Sequence, residues 1–156
     1  MTTFAAPQRL LPESAQFPAA LRLIRNSFAG MEGRISPPSS VHRMSLADLQ
    51  APHVEVWTIG ITPDACMVLT PQPQTLYLGK LAVAQALRGR GLSRSLIAKA
   101  QLRARELGRP TVTLQTRVEL LENQAIFTRL GFQETCRSAH AGYDRPTSIT
   151  YTIPLA

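Results

Sequence analysis

Arg88-Gly89-Arg90-Gly91-Leu92-Ser93 lies between two regular runs. The run before it, Leu76-Tyr77-Leu78-Gly79-Lys80-Leu81-Ala82-Val83, is apolar and reads as a strand. The run after it, Leu92 to Leu107, has the apolar spacing of a helix. Strand, glycine loop and helix together form an arrangement that binds phosphate. The glycines let the backbone take conformations closed to other residues and pass close to a ligand. The first helical turn offers N–H groups without internal partners, and the helix dipole favours an anion there. Arg88 and Arg90 add positive charge beside those donors.

Three phosphate loops fit that description in outline. The Walker loop, G-x-x-x-x-G-K-S/T, fails at Gly79-Lys80, where Leu81 follows and no glycine stands five residues earlier. The dinucleotide loop, G-x-G-x-x-G, fails at Arg94, and Thr111 to Gln115 lacks the acid that reads the ribose. Too few residues follow Gly91 for the remaining strands of that fold. The acetyl-CoA loop, Q/R-x-x-G-x-G/A, is met by Arg88 to Ser93 except that Ser93 takes the final small position.

A second stretch adds to the first. From Leu76 to Phe132 the chain resembles the GNAT superfamily of N-acetyltransferases. Leu81-Ala82-Val83 and the loop resemble the central strand and pyrophosphate loop of that family. Asn123-Gln124-Ala125-Ile126-Phe127-Thr128-Arg129-Leu130-Gly131-Phe132 is similar to its second signature, N-x-x-L/I-Y-x-x-L-G-F. The two occur in the family's order and at about its usual separation. The resemblance is strong over roughly the C-terminal half and general over the first 75 residues.

Composition suits a compact enzyme. The chain has 156 residues, enough for one domain (1–156) with one core. Hydrophobic residues make up 44%, which argues against disorder. No apolar run has membrane-spanning length, and Met1 to Leu10 holds no secretory-type segment. Cys66 and Cys136 form neither a CxxC pair nor a disulfide framework, and both are expected as buried, inert thiols of a cytoplasmic protein. The net charge of +7 and pI of about 10.4 raise nucleic acid as a partner. The arginines are scattered, however, and no zinc-finger or RNP motif accompanies them. Acyl-CoA therefore ranks above nucleic acid.

The pattern predicts eleven elements. An extended start within Met1 to Glu13 precedes a helix over Phe17 to Phe28, whose inner face is Leu21, Ile24 and Phe28. Pro37-Pro38 keeps Arg34 to Ser40 out of a helix, and Ser45 caps a short helix over Leu46 to Leu49. His53 to Ile61 and Ala65 to Thr70 pair through a turn at Thr62-Pro63-Asp64, and Leu76 to Val83 follows. The helix after the loop turns Leu92, Leu96, Ile97, Ala100 and Ala104 inward and ends at Gly108 and Pro110. Thr111 to Gln115 is a strand, Asn123 to Leu130 a helix, and Phe132 to His140 with Ser148 to Pro154 a final strand pair. The resemblance implies an α/β (α+β) GNAT-like fold. Its mixed, mostly antiparallel sheet has about seven strands, flanked by helices, with a splayed central strand pair.

It also implies a site. Acetyl-CoA would be held at Arg88, Gly89, Arg90, Gly91, Leu92 and Ser93, with its pantetheine arm between the splayed strands. The backbone of Leu81, Ala82 and Val83 would face that arm, and an N–H aimed at the thioester oxygen would stabilise the charge that develops there. The Ser93 hydroxyl is a further phosphate contact or helix cap. Asn123 is either an arm contact or an N-cap. Phe127 stands where the family usually has a tyrosine that protonates the departing thiolate, so it packs on the arm without a proton to give.

The base is less legible. With an amine pKa of about 10.4, only on the order of one molecule in a thousand is neutral at pH 7, a penalty of roughly 4 kcal/mol. The histone-modifying branch carries a Glu on the central strand, six residues before the Val83 position. Here that position is Tyr77, and Leu76 to Val83 has no acid. Tyr77 and Tyr143 are the candidate catalytic groups, Tyr143 with His140 in the loop between the last two strands. Arg34 to Ser40 is the candidate wall opposite. His42, His53 and His140 have no metal-ligand spacing, so no metal is expected. Nor is a covalent intermediate, since no Cys-His or Ser-His-Asp arrangement is readable. The expected activity is transfer of an acetyl group from acetyl-CoA to a small-molecule or peptide amine by direct attack, in a monomer or homodimer. The alternatives are a protein N-terminal or ribosomal-protein acetyltransferase, and an acyl-CoA-binding regulatory module without turnover.

Overall fold

A computed structural model describes residues 4–155. In chain order the elements are β1 (Gln8–Arg9), α1 (Phe17–Ala29), α2 (Leu46–Gln50), β2 (Glu55–Ile59), β3 (Ala65–Pro71), β4 (Leu76–Val83), α3 (Leu92–Glu106), β5 (Thr111–Arg117), α4 (Leu121–Arg129), β6 (Gln133–Ser138) and β7 (Ser148–Pro154). Short 3₁₀ turns at Ser40–Arg43 and Gln85–Leu87 join some of them. The expected order of strands and helices is the observed one.

The seven strands form one mixed sheet in the order β1-β2-β3-β4-β5-β7-β6. Every neighbouring pair is antiparallel except β4 and β5. That parallel pair meets only at Leu76↔Val112 and Tyr77↔Thr113. Beyond Tyr77 and Thr113 no bridge joins the two strands, so the sheet opens at its centre. A bulge contributes to the parting. Cys66 of β3 faces Ala82 and Val68 faces Gly79, so β4 carries an extra residue across from Met67. Lys80 sits in that bulge with φ of 51°, the only positive φ of a non-glycine among the described residues. A bulge bends its strand and increases the local twist.

The two faces of the sheet are covered by different helices. Leu92, Leu96, Ile97, Ala100 and Ala104 of α3 pack on Leu76, Leu78, Val112, Leu114 and Ile149. These five positions of α3 lie at the three-and-four spacing that turns one stripe of a helix toward a sheet. Phe17, Ala20, Leu21 and Ile24 of α1 pack with Val56, Cys66, Val68 and Ala82 on the other face. A Leu or Ile buried this way is worth about 1.5–3 kcal/mol, so these two stripes hold the helices in place on either side of the opening.

Four details depart from the sequence reading. The first strand is two residues long, and the part of its expected range at residues 1–3 lies outside the described residues. Strand β5 runs two residues past Gln115, to Arg117. Helix α4 begins at Leu121, so Asn123 lies in its first turn and is not its N-cap. Burial of Leu120 and bonds from the Asn123 and Gln124 N–H groups to the Leu120 carbonyl start the helix early. Cys66 is buried, with its thiol pushed up to about 12 by burial, but Cys136 is exposed on β6. No residue of β6 is buried, so strand alternation there hides no face.

Candidate active site

The gap between β4 and β5 opens into a cleft of ≈ 980 Å³. Its floor comes from Tyr77 to Val83 of β4 and Leu114 to Arg117 of β5. One wall is Arg88, Gly89, Gly91, Ser93 and Arg94, without Arg90 and Leu92; another is Asn123, Ile126 and Phe127 of α4, and a third is the end of α1 with the segment after it. A volume near 1,000 Å³ is at the upper end of ordinary ligand sites.

At the loop end the backbone turns through two left-handed glycines. Gly89 and Gly91 have φ of 80° and 84°, the left-handed region that glycine enters without penalty. A Cβ at either position would meet nothing within 4 Å, so conformation and open space, not crowding, call for glycine. Gly91 is the N-cap of α3, and no side chain caps the helix. The first-turn N–H groups therefore stay available, with the exposed Arg88, Arg90 and Arg94 around them. Ser93 lines the cleft inside the first turn and is not the cap. The Leu92 side chain is buried in the core, which leaves only its backbone for a ligand.

In the middle of the cleft lie Leu81, Ala82, Val83, Asn123 and Phe127. The Val83 carbonyl accepts a hydrogen bond from the Ser27 hydroxyl at 3.4 Å. Asn123 Nδ2 donates to Thr116 Oγ1 at 3.3 Å, tying α4 to β5. Phe127 is held edge-on to Phe132, ring centres 6.0 Å apart, and tilted against Tyr151 at 6.1 Å.

The end of α1 and the segment after it border the cleft on another side. Tyr77 lines the cleft, and burial pushes its phenol above the ordinary tyrosine range. Lys80 Nζ lies 5.8 Å from the centre of the Phe28 ring. Burial, and then the Arg117 guanidinium, hold the Lys80 ammonium below the usual lysine range. Arg117 Nη1 and Nη2 donate to the Pro37 and Pro38 carbonyls at 2.5 and 3.3 Å. Arg34 is in an ion pair with Glu122, both carboxylate oxygens within 2.8 Å.

Tyr143 is placed differently from Tyr77. It does not line the cleft, and its hydroxyl shares a 2.8 Å hydrogen bond with the Ser36 hydroxyl. His140 does line it, with Nδ1 engaged by Thr147 Oγ1. Arg34, Ile35, Ser39 and Ser40 of the 34–40 segment line the cleft. Glu119 Oε2 accepts the Ser36 N–H at 3.1 Å, a further tie that no local pattern announces. Lys80 and Arg117 are two charged cleft residues that the sequence pattern does not place in the site. A lysine in a strand otherwise apolar was the available signal for Lys80; nothing local marked Arg117. Among the described residues no three His, Cys, Asp or Glu side chains gather as a metal site. No helix among them is long and apolar enough to cross a membrane.

Residues 35–132 match the family model described as the acetyltransferase (GNAT) family. No curated protein matches the sequence. Among solved structures, the chain is similar over 99% of its length to the whole of a protein from Desulfovibrio desulfuricans assigned to the GNAT acetyltransferases, at 18% identity and a TM-score of 0.74. The Escherichia coli ribosomal-protein-S18-alanine N-acetyltransferase is 21% identical, with 97% of this chain and 94% of that one aligned and a TM-score of 0.68. A GNAT family acetyltransferase from Elizabethkingia anophelis, solved with acetyl-CoA bound, is 16% identical over 96% and 97% of the two chains, with a TM-score of 0.69. At these identities the likeness shows a common fold.

Proposed function

Because this chain belongs to the GNAT acetyltransferase family, we propose that it transfers an acetyl group from acetyl-CoA to a primary amine by direct attack. The observation that carries this reading is the parting of β4 and β5 after Tyr77 and Thr113, beside a loop whose glycines are left-handed and whose helix is uncapped. The opening supplies unbridged backbone along a narrow channel, and the loop supplies N–H donors and arginines at one end of it. In this reading residues 1–156 act as one catalytic domain.

The residues divide the work by position. The N–H groups at the start of α3, with Arg88, Arg90 and Arg94, hold the phosphates of the cosubstrate. The backbone of Leu81, Ala82 and Val83, with Asn123 and the Phe127 ring, lines its uncharged arm. When bound, acetyl-CoA supplies an activated acetyl thioester. Tyr77, kept protonated by burial, donates a hydrogen bond at the reacting end. The amine enters from the α1 side and must be neutral to attack. No carboxylate among the described cleft residues is free for that proton, since Glu122 pairs with Arg34 and Asp48 accepts the Ser45 N–H at 2.8 Å. Proton loss therefore falls to water or to the His140 ring, which lines the cleft with its Nδ1 engaged by Thr147.

The test is calorimetric binding of CoA, followed by release of free thiol from acetyl-CoA with a panel of amines, amino acids, peptides and aminoglycosides. Amine-dependent thiol release supports the reading, and CoA failing to bind would overturn it. Phe127, with no hydroxyl in the place of the usual tyrosine, supports a second reading: an acyl-CoA-binding module without turnover. That module would bind CoA tightly and release no thiol with any amine.

A further inference from the structure

The cleft beside the end of α1 carries positive charge that no carboxylate among the described residues pairs with directly. Lys80 and Arg117 both line it. The Lys80 ammonium meets the Phe28 ring, and the Arg117 guanidinium meets the carbonyls of Pro37 and Pro38. Neither has a carboxylate partner among the described residues. Of the nearby acids, Glu122 is engaged by Arg34 and Asp48 by the backbone at Ser45, while Glu119 accepts the Ser36 N–H through one oxygen and forms no ion pair with either cation. Two half-buried cations of like sign repel each other, and a site that keeps such a pair without a counter-ion attracts an anion.

The backbone adds an independent reason. Lys80 holds a φ of 51° in the β4 bulge. The left-handed region costs a non-glycine residue about 1–2 kcal/mol. Glycine would be the least costly occupant, yet the chain puts Gly79 beside the strained position and lysine in it. Strain of this kind persists where the side chain has a task.

The anion is not the cosubstrate's own charge. The phosphates of CoA belong at the other end, with Arg88, Arg90 and Arg94, and the pantetheine arm between is uncharged. We infer that the acceptor is an amine that also carries an anionic group, a carboxylate or a phosphate, which binds between Lys80 and Arg117 while the amine faces the thioester. Arg117 is already oriented by its two carbonyl partners, so its remaining donors are preorganised for an oxyanion. This inference rests on the proposed acetyl transfer.

The experiment compares matched acceptors by thiol release: phenylalanine with phenylalaninamide, β-alanine with its amide, and an aminoalkylphosphonate for the phosphate arm. The acid forms should be favoured at least tenfold in kcat/KM, and the carboxylate and phosphonate series identify which anion fits. Lys80→Met should cut that preference at least fivefold, mainly through KM, and Lys80→Arg should restore part of it, with the calorimetric Kd for CoA unchanged. Arg117→Met should act likewise, but it also releases the Pro37-Pro38 segment, so Lys80 carries the test. Amides or diamines used as well as the acids, or a preference unaltered in Lys80→Met, would overturn the inference while leaving acetyl transfer intact. If CoA binds and no amine is acetylated, transfer itself fails. The anion site is then read by calorimetry of N-acetylphenylalanine against its amide on the CoA-loaded protein. Preference for the acid that disappears in Lys80→Met supports the site, and equal binding overturns it.

Discussion

The Tyr143 hydroxyl and the Ser36 hydroxyl are 2.8 Å apart and share a hydrogen bond across 107 residues of sequence. The contact joins the loop between β6 and β7 to the segment that follows α1. With its phenol in a loop-to-loop bond outside the cleft lining, Tyr143 is expected to act as a positioning residue. Tyr143→Phe should therefore raise the KM for the acceptor a few-fold, in keeping with an exposed hydrogen bond worth about 0.5–1.5 kcal/mol. The kcat and the shape of the pH–rate profile should not change. A tyrosine acting in proton transfer would instead lose a limb of that profile.

Gly91 caps α3 with φ of 84° and open space around it. Gly91→Ala should cost about 1–2 kcal/mol of stability through strain alone, with CoA affinity only modestly reduced. Gly91→Glu carries the same strain and adds a negative charge where phosphates should lie. Calorimetry should show CoA binding weakened at least a hundredfold in the glutamate variant, while circular dichroism shows both variants folded. Equal CoA affinity in the two would separate this loop from phosphate binding.

Why the loop was readable and its surroundings were not follows from the range of the forces. The inward stripe of α3, Leu92 to Ala104, is set by helical spacing within one segment, and the structure buries those same residues. Asn123, a strong capping type, points to a start of α4 at that residue, whereas the helix begins at Leu121, next to the buried Leu120. The Arg34–Glu122 pair spans 88 residues and the Arg117–Pro37 bond 80, so neither leaves a local trace. The bulge at Lys80 was hidden for another reason. A glycine stands one residue away and would be expected to take the positive φ itself.

Glu55 is buried and accepts hydrogen bonds from Arg103 at 2.8–3.2 Å and from Trp57 Nε1 at 2.9 Å. Burial alone would raise its carboxyl, but the bonds from Arg103 and Trp57, with the charges of Arg103 and Arg9, outweigh it and hold the carboxyl below its ordinary value. A carboxyl lowered in the folded state contributes stability above its unfolded pKa, and that stability is lost as pH falls through the folded value. Urea unfolding should thus weaken more steeply between pH 5 and pH 3 in the native protein than in Glu55→Gln. Arg103→Met leaves the carboxylate with Trp57 and a distant Arg9, so it should cost about 2–3 kcal/mol at pH 7 and move acid unfolding to higher pH.

Lys80 gives a stability test separate from its part in binding. Replacing a strained non-glycine residue by glycine relieves the left-handed penalty but adds freedom to the unfolded chain, about 0.4–1 kcal/mol in the other direction. Lys80→Gly should therefore be neutral to about 1 kcal/mol more stable, a rise in Tm of up to about 4 °C for a chain of this size. Activity toward anionic acceptors should fall at the same time. A Tm that drops by several degrees would mean that the lysine stem holds the bulge by packing.

Phe127 poses the last question, which proton limits turnover. Its ring is fixed against Phe132 and Tyr151 and has no proton to donate to a departing thiolate. A thiol with a pKa of about 8.5 leaves tolerably well without an acid, and a positioned acid is worth about 10²–10⁴-fold only where its step is limiting. The amine carries the larger penalty. It must lose a proton held at a pKa of about 10.4, and no free carboxylate in the cleft takes it. The rate should accordingly rise with pH toward 9, following the neutral fraction of the acceptor. Tyr77→Phe should lower the rate without abolishing that rise, since the buried phenol stays protonated through the same range. Phe127→Tyr should be tolerated and should raise the rate by less than about tenfold. The measurement is a pH–rate profile from pH 6 to 9 of the native protein and both variants with one working acceptor. A flat native profile, or a hundredfold gain from the new tyrosine, would move the limiting proton from the amine to the leaving thiol.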